Sequence, residues 1–357
     1  MSEMLAAVDE SAALEQLHEI GCTDGLPVVI PTEARVARMV LASGLDAEMV
    51  LGEMGPAGGV ATMQKVAIAA VMAGCLPDYM PIVVAAVKAV IDPRFDLTEM
   101  QATTHCTAPL VIVNGPARHT CGPVVSGFGV MGPGHRANAS IGRALRLAMI
   151  NVGGGRPGES DMALHGHPGK FTYCIAEDEE HSPFPPLHVA RGFALQDSVV
   201  TVIGAEAPHS VIYSGDSDDP QDHQRLLEVL AIGLANLATN NAILSGGAAT
   251  VVLNPDHAAI LARANMSRDA VAERLLALTA HSSADLARVA GGFAKRKSDP
   301  QTPRDSFRSA DDILILMAGG SGLYSMVMPS WCAGPHQNSA VSVQVEVDQF
   351  CEVPGSS

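Results

Sequence analysis

The sequence predicts an α/β protein with mixed sheets, built as two lobes related by internal duplication around a Gly-rich functional segment. Three observations predict it. A chain of 357 residues that is 47% hydrophobic and 17% charged has apolar surface enough for a large core and is not a disordered chain. A strand-helix-helix order is read from Leu26 onward and again from Thr250, a repeat after about 224 positions. Finally, EMQATTHCTAPLVIVNGP (99–116) aligns without a gap with LILMAGGSGLYSMVMPSW (314–331), so that Thr104-His105-Cys106 faces Gly319-Gly320-Ser321. Lobes related in this way would bring both small-residue loops to one cleft, a usual place for a ligand.

The elements follow in order. Residues 1–22 hold an amphipathic helix, with Leu5, Val8, Leu14, Leu17 and Ile20 at helical spacing, able to dock on the body or on a partner. The first lobe, 23–131, opens with an apolar strand from Leu26 to Ile30. Pro31-Thr32-Glu33 then starts a helix through Val40, and a second helix starts near Asp46. The central segment, 132–246, continues a Gly-rich stretch that begins at Gly115. It contains a helix from Ala139 to Asn151, capped by Asn138 or Ser140, with Ile141, Leu145, Ala148 and Met149 on its apolar face, and a strand from Phe171 to Ala176. The second lobe, 247–348, has a strand from Thr250 to Leu253, a helix opened by Asn254-Pro255-Asp256 and a helix capped by Ser267. Lys295 to Asp312 reads as a mobile surface loop and 349–357 as a flexible tail.

A formal net charge of −16 repels phosphate backbones and anionic lipid, so neither nucleic acid nor membrane is expected as a partner. No run approaches roughly 18 uninterrupted apolar residues: Pro81 to Ile91 is broken by Lys88 and is too short for a bilayer. The first residues lack a basic start and an apolar h-region, which makes the cytoplasm the expected compartment. Seven cysteines form no CxxC pair, consistent with free thiols rather than a disulfide framework. No phosphate-loop, dinucleotide or nucleophile-elbow pattern occurs: Gly153-Gly154-Gly155 follows a helix, the wrong context for a Rossmann turn, so no organic cofactor is expected. Low aromatic content (4%) and apolar helices favour a homo-oligomer.

Most of the 13 histidines fall in the Gly-rich half, where groups able to titrate near neutral pH concentrate. His105, after an apolar run, is a candidate base, and Cys106 beside it is either a nucleophile or a small buried hydrophobe. His165-Gly166-His167-Pro168-Gly169-Lys170 is a cationic loop suited to a carboxylate or phosphate. The His-x-His spacing also suits a divalent metal, with His165, His167, Glu177 and His188 as the ligand set if one is bound. Glu177, at a strand end opening the run Glu177-Asp178-Glu179-Glu180-His181, is the candidate general acid or base. Arg136, with Asn138 at a helix start, is a candidate anion site, whereas Arg143 and Arg146 suit internal ion pairs.

The runs CTDGLPVVIPT, MQATTHCTAPLVIVNGP, GPGHRANASIGRALRLAMINVGGGRPGESD and HGHPGKFTYCIAEDEEHSPFPPLHVARGF resemble a family of poorly characterised bacterial proteins grouped with the UGSC-type selenoproteins. The resemblance spans roughly residues 20 to 330 and is most specific from Gly132 to Phe193. It implies a small companion protein carrying a Cys or selenocysteine UGSC motif, hence a two-component thiol or selenol system; this chain has no UGSC motif itself. It also implies a shared site at His105, Asn114, Arg136, Asn138, Arg143, His167, Lys170, Cys174, Glu177 and Glu180. The family has Pro where this chain has Cys106, which moves the expected thiol to Cys174.

The expectation is an enzyme that acts on a small carboxylate-bearing molecule by hydrolysis or C–X bond cleavage. His105 and Glu177 would move protons and Cys174 would attack or line the pocket. Asn114, Arg136, Asn138, Arg143, His167, Lys170 and Glu180 would bind substrate. Two alternatives stand beside it: a substrate-binding subunit partnered by a UGSC-type thiol protein, and a metal-dependent hydrolase.

Overall fold

Alternate residues of the central strands meet two different kinds of neighbour, and this places the layers of the protein. The structure, a computed structural model, describes residues 5–291 and 303–346. The tail expected at 349–357, the first four residues and the 295–302 part of the polar stretch lie outside the described residues. In chain order the elements are α1 (Glu10–Glu19), α2 (Glu33–Ser43), β1 (Val50–Met54), β2 (Gly59–Thr62), α3 (Met63–Ala73), α4 (Met80–Ile91), α5 (Leu97–Ala102), β3 (Ala108–Asn114), α6 (Ala117–Thr120), α7 (Arg136–Asn151), β4 (Cys174–Ala176), α8 (Leu187–Ala190), β5 (Val199–Ala205) and β6 (His209–Ile212). There follow α9 (Asp222–Leu234), α10 (Asn240–Leu244), β7 (Ala249–Leu253), α11 (Pro255–Arg263), α12 (Arg268–Leu278), β8 (His281–Ser282), α13 (Ser283–Val289), β9 (Pro303–Arg304), β10 (Ile313–Met317), β11 (Tyr324–Met328) and β12 (Val341–Gln344).

Two four-stranded sheets stack face to face, with helices on both outer faces. Leu110, Ile112, Ile175 and Ile203 of one sheet meet Val252, Leu314, Leu316 and Met328 of the other. The intervening residues Val111, Val113, Val200 and Val202 turn outward onto α3, α4 and α7. On the far side Val251, Leu253, Ile315 and Val327 pack on α9, α11 and α12. Strands apolar on both faces are those buried between layers, which is why β3 and β7 read as continuous apolar runs rather than as alternation.

The pairing reveals a repeat. In the first sheet β3 pairs parallel with β4 and antiparallel with β5, and β5 pairs antiparallel with β12. In the second, β7 pairs parallel with β10 and antiparallel with β11, and β11 pairs antiparallel with β6. Registers agree as well: Val111, Val202 and Val341 stand in line, as do Val251, Val327 and His209. Strand β6 follows β5 in the chain but joins the sheet of β11, and β12 follows β11 but joins the sheet of β5. Each half therefore lends its last strand to the other, and the strands do not divide at residues 131 and 246.

This repeat is not the one read from the sequence. It matches α5-β3 with α10-β7, with Asn114 and Asn254 ending equivalent strands, whereas the alignment of 99–116 with 314–331 sets a helix against a strand. Leu26 to Ile30 is not a strand. Pro27 and Pro31 remove donors, and the segment makes a single backbone hydrogen bond to the body, from Val29 N to the Met72 carbonyl. No helix starts at Asp46: Gly44 ends α2 at φ 69°, and the glycines at 52, 55, 58 and 59 turn the chain into the β1-β2 hairpin. The strand expected from Phe171 covers only Cys174–Ala176. Helix α7 starts at Arg136 without a side-chain cap, so Asn138 and Ser140 lie inside it. The helices expected to open at Pro31-Thr32-Glu33 and Asn254-Pro255-Asp256 are present, capped by Thr32 and Asn254, and the cap expected at Ser267 is present.

Candidate functional site

Where the two halves exchange strands, the loop between α5 and β3 meets the end of β5, the start of α10 and the segment 155–170. Arg146 sits at its base. It lies on α7 among Leu145, Leu147 and Met149, a guanidinium with a side chain only 7% exposed. Burial of a cation needs a counter-charge, and Asp161 Oδ2 stands 3.5 Å from Arg146 Nη1, with Gln101 Oε1 also at 3.5 Å. Asp161 is shared: Lys170 Nζ donates to both of its oxygens, at 2.8 and 2.7 Å. Two cations thus rest on one carboxylate. Burial first, then the Arg146 charge, holds the Lys170 amine below its ordinary pKa, against the opposing pull of the Asp161 carboxylate.

His167 completes the floor. Its Nδ1 accepts from Gly169 N at 3.1 Å, so Nε2 carries the proton of the neutral ring. That Nε2 faces the Ala205 carbonyl without a hydrogen bond of acceptable geometry. Desolvation, followed by the Lys170 charge, drives the His167 pKa down to about 4. Arg146 Nη2 and Gln101 Nε2 are likewise buried and unpartnered. Gly155 closes against Gln101, since a Cβ there would lie 2.2 Å from its Nε2.

At the rim, His105 Nε2 is 2.9 Å from Glu206 Oε1, and Asn240 Nδ2 donates to His105 Nδ1 at 3.2 Å. With Asn240 donating to Nδ1, the imidazole Nε2–H donates to the carboxylate, and the side chains are 19% and 27% exposed, open enough to exchange that proton with a ligand. Cys332 lies behind, donating toward the Asn240 carbonyl, and burial raises its thiol to about 11. Family models, curated proteins and solved structures were compared, and none matches this chain.

Of the residues expected from sequence, His105, His167 and Lys170 come together here, joined by Cys106. The others do not. Cys174 lies in the core under α7, and burial raises its thiol far above the ordinary range, which leaves no thiolate to attack. Glu177 is fully buried at the far end of β4. It accepts from Asn114 Nδ2 at 2.6 Å and Leu187 N at 2.7 Å, and pairs with Arg268 at 3.0 Å. Glu180 is held at about 2 by Arg118. Arg136 donates to the Gly74 carbonyl and so closes the end of α3. Asn138 ties down Val125 through both its backbone groups, and Arg143 grips Asp24 with two bonds of 2.8 Å. These are bonds that hold the fold.

The metal set His165, His167, Glu177 and His188 is split between the two ends of the first sheet. Among the described residues no three His, Cys, Asp or Glu side chains converge as a donor group. Sequence reading missed Gln101, Asp161, Glu206 and Asn240, and assigned Arg146 only to an ion pair. The usable signal was there for two of them: Arg146 interrupts the apolar face of α7, and Glu206 follows the apolar run of β5 directly.

Proposed function

We propose that the protein is an enzyme acting on a small carboxylate-bearing molecule, by hydrolysis or C–X bond cleavage, with His105 and Glu206 moving the proton. One observation carries this reading: Arg146 Nη2 and Gln101 Nε2 are unpartnered donors, with no acceptor supplied by the described residues. Each unpaired buried donor costs about 1–3 kcal/mol, so a ligand that brings acceptor oxygens and negative charge gains what the fold leaves unspent. A carboxylate matches the guanidinium geometrically as well as electrically. Glu177 and Cys174, the acid and thiol first expected, lie away from these donors, Glu177 at the far end of β4 with Arg268 and Cys174 packed under α7, and Glu206 takes the place of Glu177.

Binding can be tested without knowing the substrate. Malonate, compared with chloride at equal ionic strength, should raise Tm saturably, by an amount equivalent to about 2.7 kcal/mol at a hundredfold excess over Kd. Arg146→Met and Gln101→Leu should abolish the shift. A wild-type Tm that ignores malonate and other small carboxylates would remove the reading.

A further inference from the structure

We propose that Lys170 is the covalent catalyst of this site, its amine forming a Schiff base with the carbonyl of a 2-oxo carboxylate held by Arg146 and Gln101. The inference rests on the carboxylate-binding reading above and narrows its substrate class. Lys170 differs from an ordinary ion-paired lysine in three ways. It shares its carboxylate with a second cation, Arg146, so the pair around Asp161 carries a surplus positive charge that favours a neutral amine. Asp161 touches Nζ through both oxygens, at 2.7 and 2.8 Å, and is placed to accept the proton that the amine must lose. The unpartnered donors of Arg146 and Gln101 belong to the same group of contacts, joined to Lys170 through Asp161, so a carboxylate bound there is close to the amine.

The step balances within the site. Nζ gives a proton to Asp161 and forms a bond to the carbonyl carbon, whose π pair moves to oxygen and is protonated by Asp161; the nitrogen, now positively charged, gives a second proton to the freed Asp161 carboxylate, leaving a neutral carbinolamine with a hydroxyl on the former carbonyl carbon. That hydroxyl takes a further proton from the His105-Glu206 pair and leaves as water, which gives the iminium. A bond at the adjacent carbon can then break, its electron pair passing to the iminium nitrogen as an enamine. Protonation of the enamine and addition of water return the free amine.

The test is reductive trapping. The full-length protein is incubated with pyruvate and cyanoborohydride and then mapped by peptide mass spectrometry. The expected result is an adduct on Lys170 with the mass of pyruvate less one oxygen, at least about tenfold above that on Lys65 and Lys88, as an activated amine demands. It should be suppressed by propionate, which has the carboxylate but no carbonyl, and reduced in Asp161→Asn. Lys170→Met should carry none. Absence of the adduct, or equal labelling of Lys65 and Lys88, overturns the proposal. If malonate still raises Tm when trapping fails, the Schiff base alone falls; if both fail, the carboxylate reading falls with it.

Discussion

His167 illustrates how a residue's environment, rather than its type, sets its role. Its ring is neutral because burial and the neighbouring Lys170 charge hold the pKa near 4 instead of 6.5. An unfolded chain binds a proton at this residue between those values while the folded chain does not. The contribution to stability is therefore whole above pH 6.5 and is lost as pH falls from about 6.5 to about 4. His257 shifts the same way through burial, so the comparison must be with a variant. In His167→Asn the slope of stability against pH across that window should flatten, measured as the urea midpoint at each pH; an unchanged slope would mean that the ring does not bear this burial. His105, His167 and Lys170 were legible because imidazoles and a lysine among glycines stand out. Asp161 and Gln101 were not, since an isolated acid and an amide in a polar or apolar context carry no pattern until a cation is placed beside them.

At the scale of elements, helix starts marked by a local cap at Thr32, Asn254 and Ser267 were readable and strand pairing was not. Thr32, Asn254 and Ser267 cap their helices because a side-chain oxygen three residues ahead of an amide is a local arrangement. Leu26 to Ile30 looked like a strand by composition, but a strand needs a partner with free donors, and prolines flank it. Glu177, expected as a general acid or base, is part of a latch between halves: Glu177 of β4 receives Arg268 of α12, whose guanidinium also reaches the Pro185 and Ile315 carbonyls. Arg268→Met should destabilise the protein by about 3–5 kcal/mol, because it strands a buried carboxylate. Adding Glu177→Gln should recover much of that loss. Urea denaturation of the two variants decides it, and a loss below about 1 kcal/mol for the single change would show the pair to be a bystander.

For the whole molecule, the exchange of β6 and β12 makes each sheet depend on both halves of the chain. Neither half owns a complete sheet, and both sheets bury the common layer of Leu110, Ile112, Leu316 and Met328. Opening one half therefore uncovers the other. Amides of β3, β5, β7 and β11 should exchange hydrogen with one common opening free energy as denaturant is raised; two separate values for the two sheets would show that the halves open independently. No helix among the described residues is long and apolar enough to cross a membrane, in keeping with the broken apolar stretch at Pro81 to Ile91. The α/β class, the helix starts after Thr32, Asn254 and Ser267 and the buried runs of β3, β7 and β10 were determined by the sequence alone, because apolar period and capping are properties of neighbours in the chain. Tertiary structure alone decided which strands pair, that the repeat runs through α5-β3 and α10-β7, and that Arg146, Asp161, Lys170, His105 and Glu206 meet. Those contacts join residues far apart along the chain, and their partners are chosen by burial and charge balance in three dimensions.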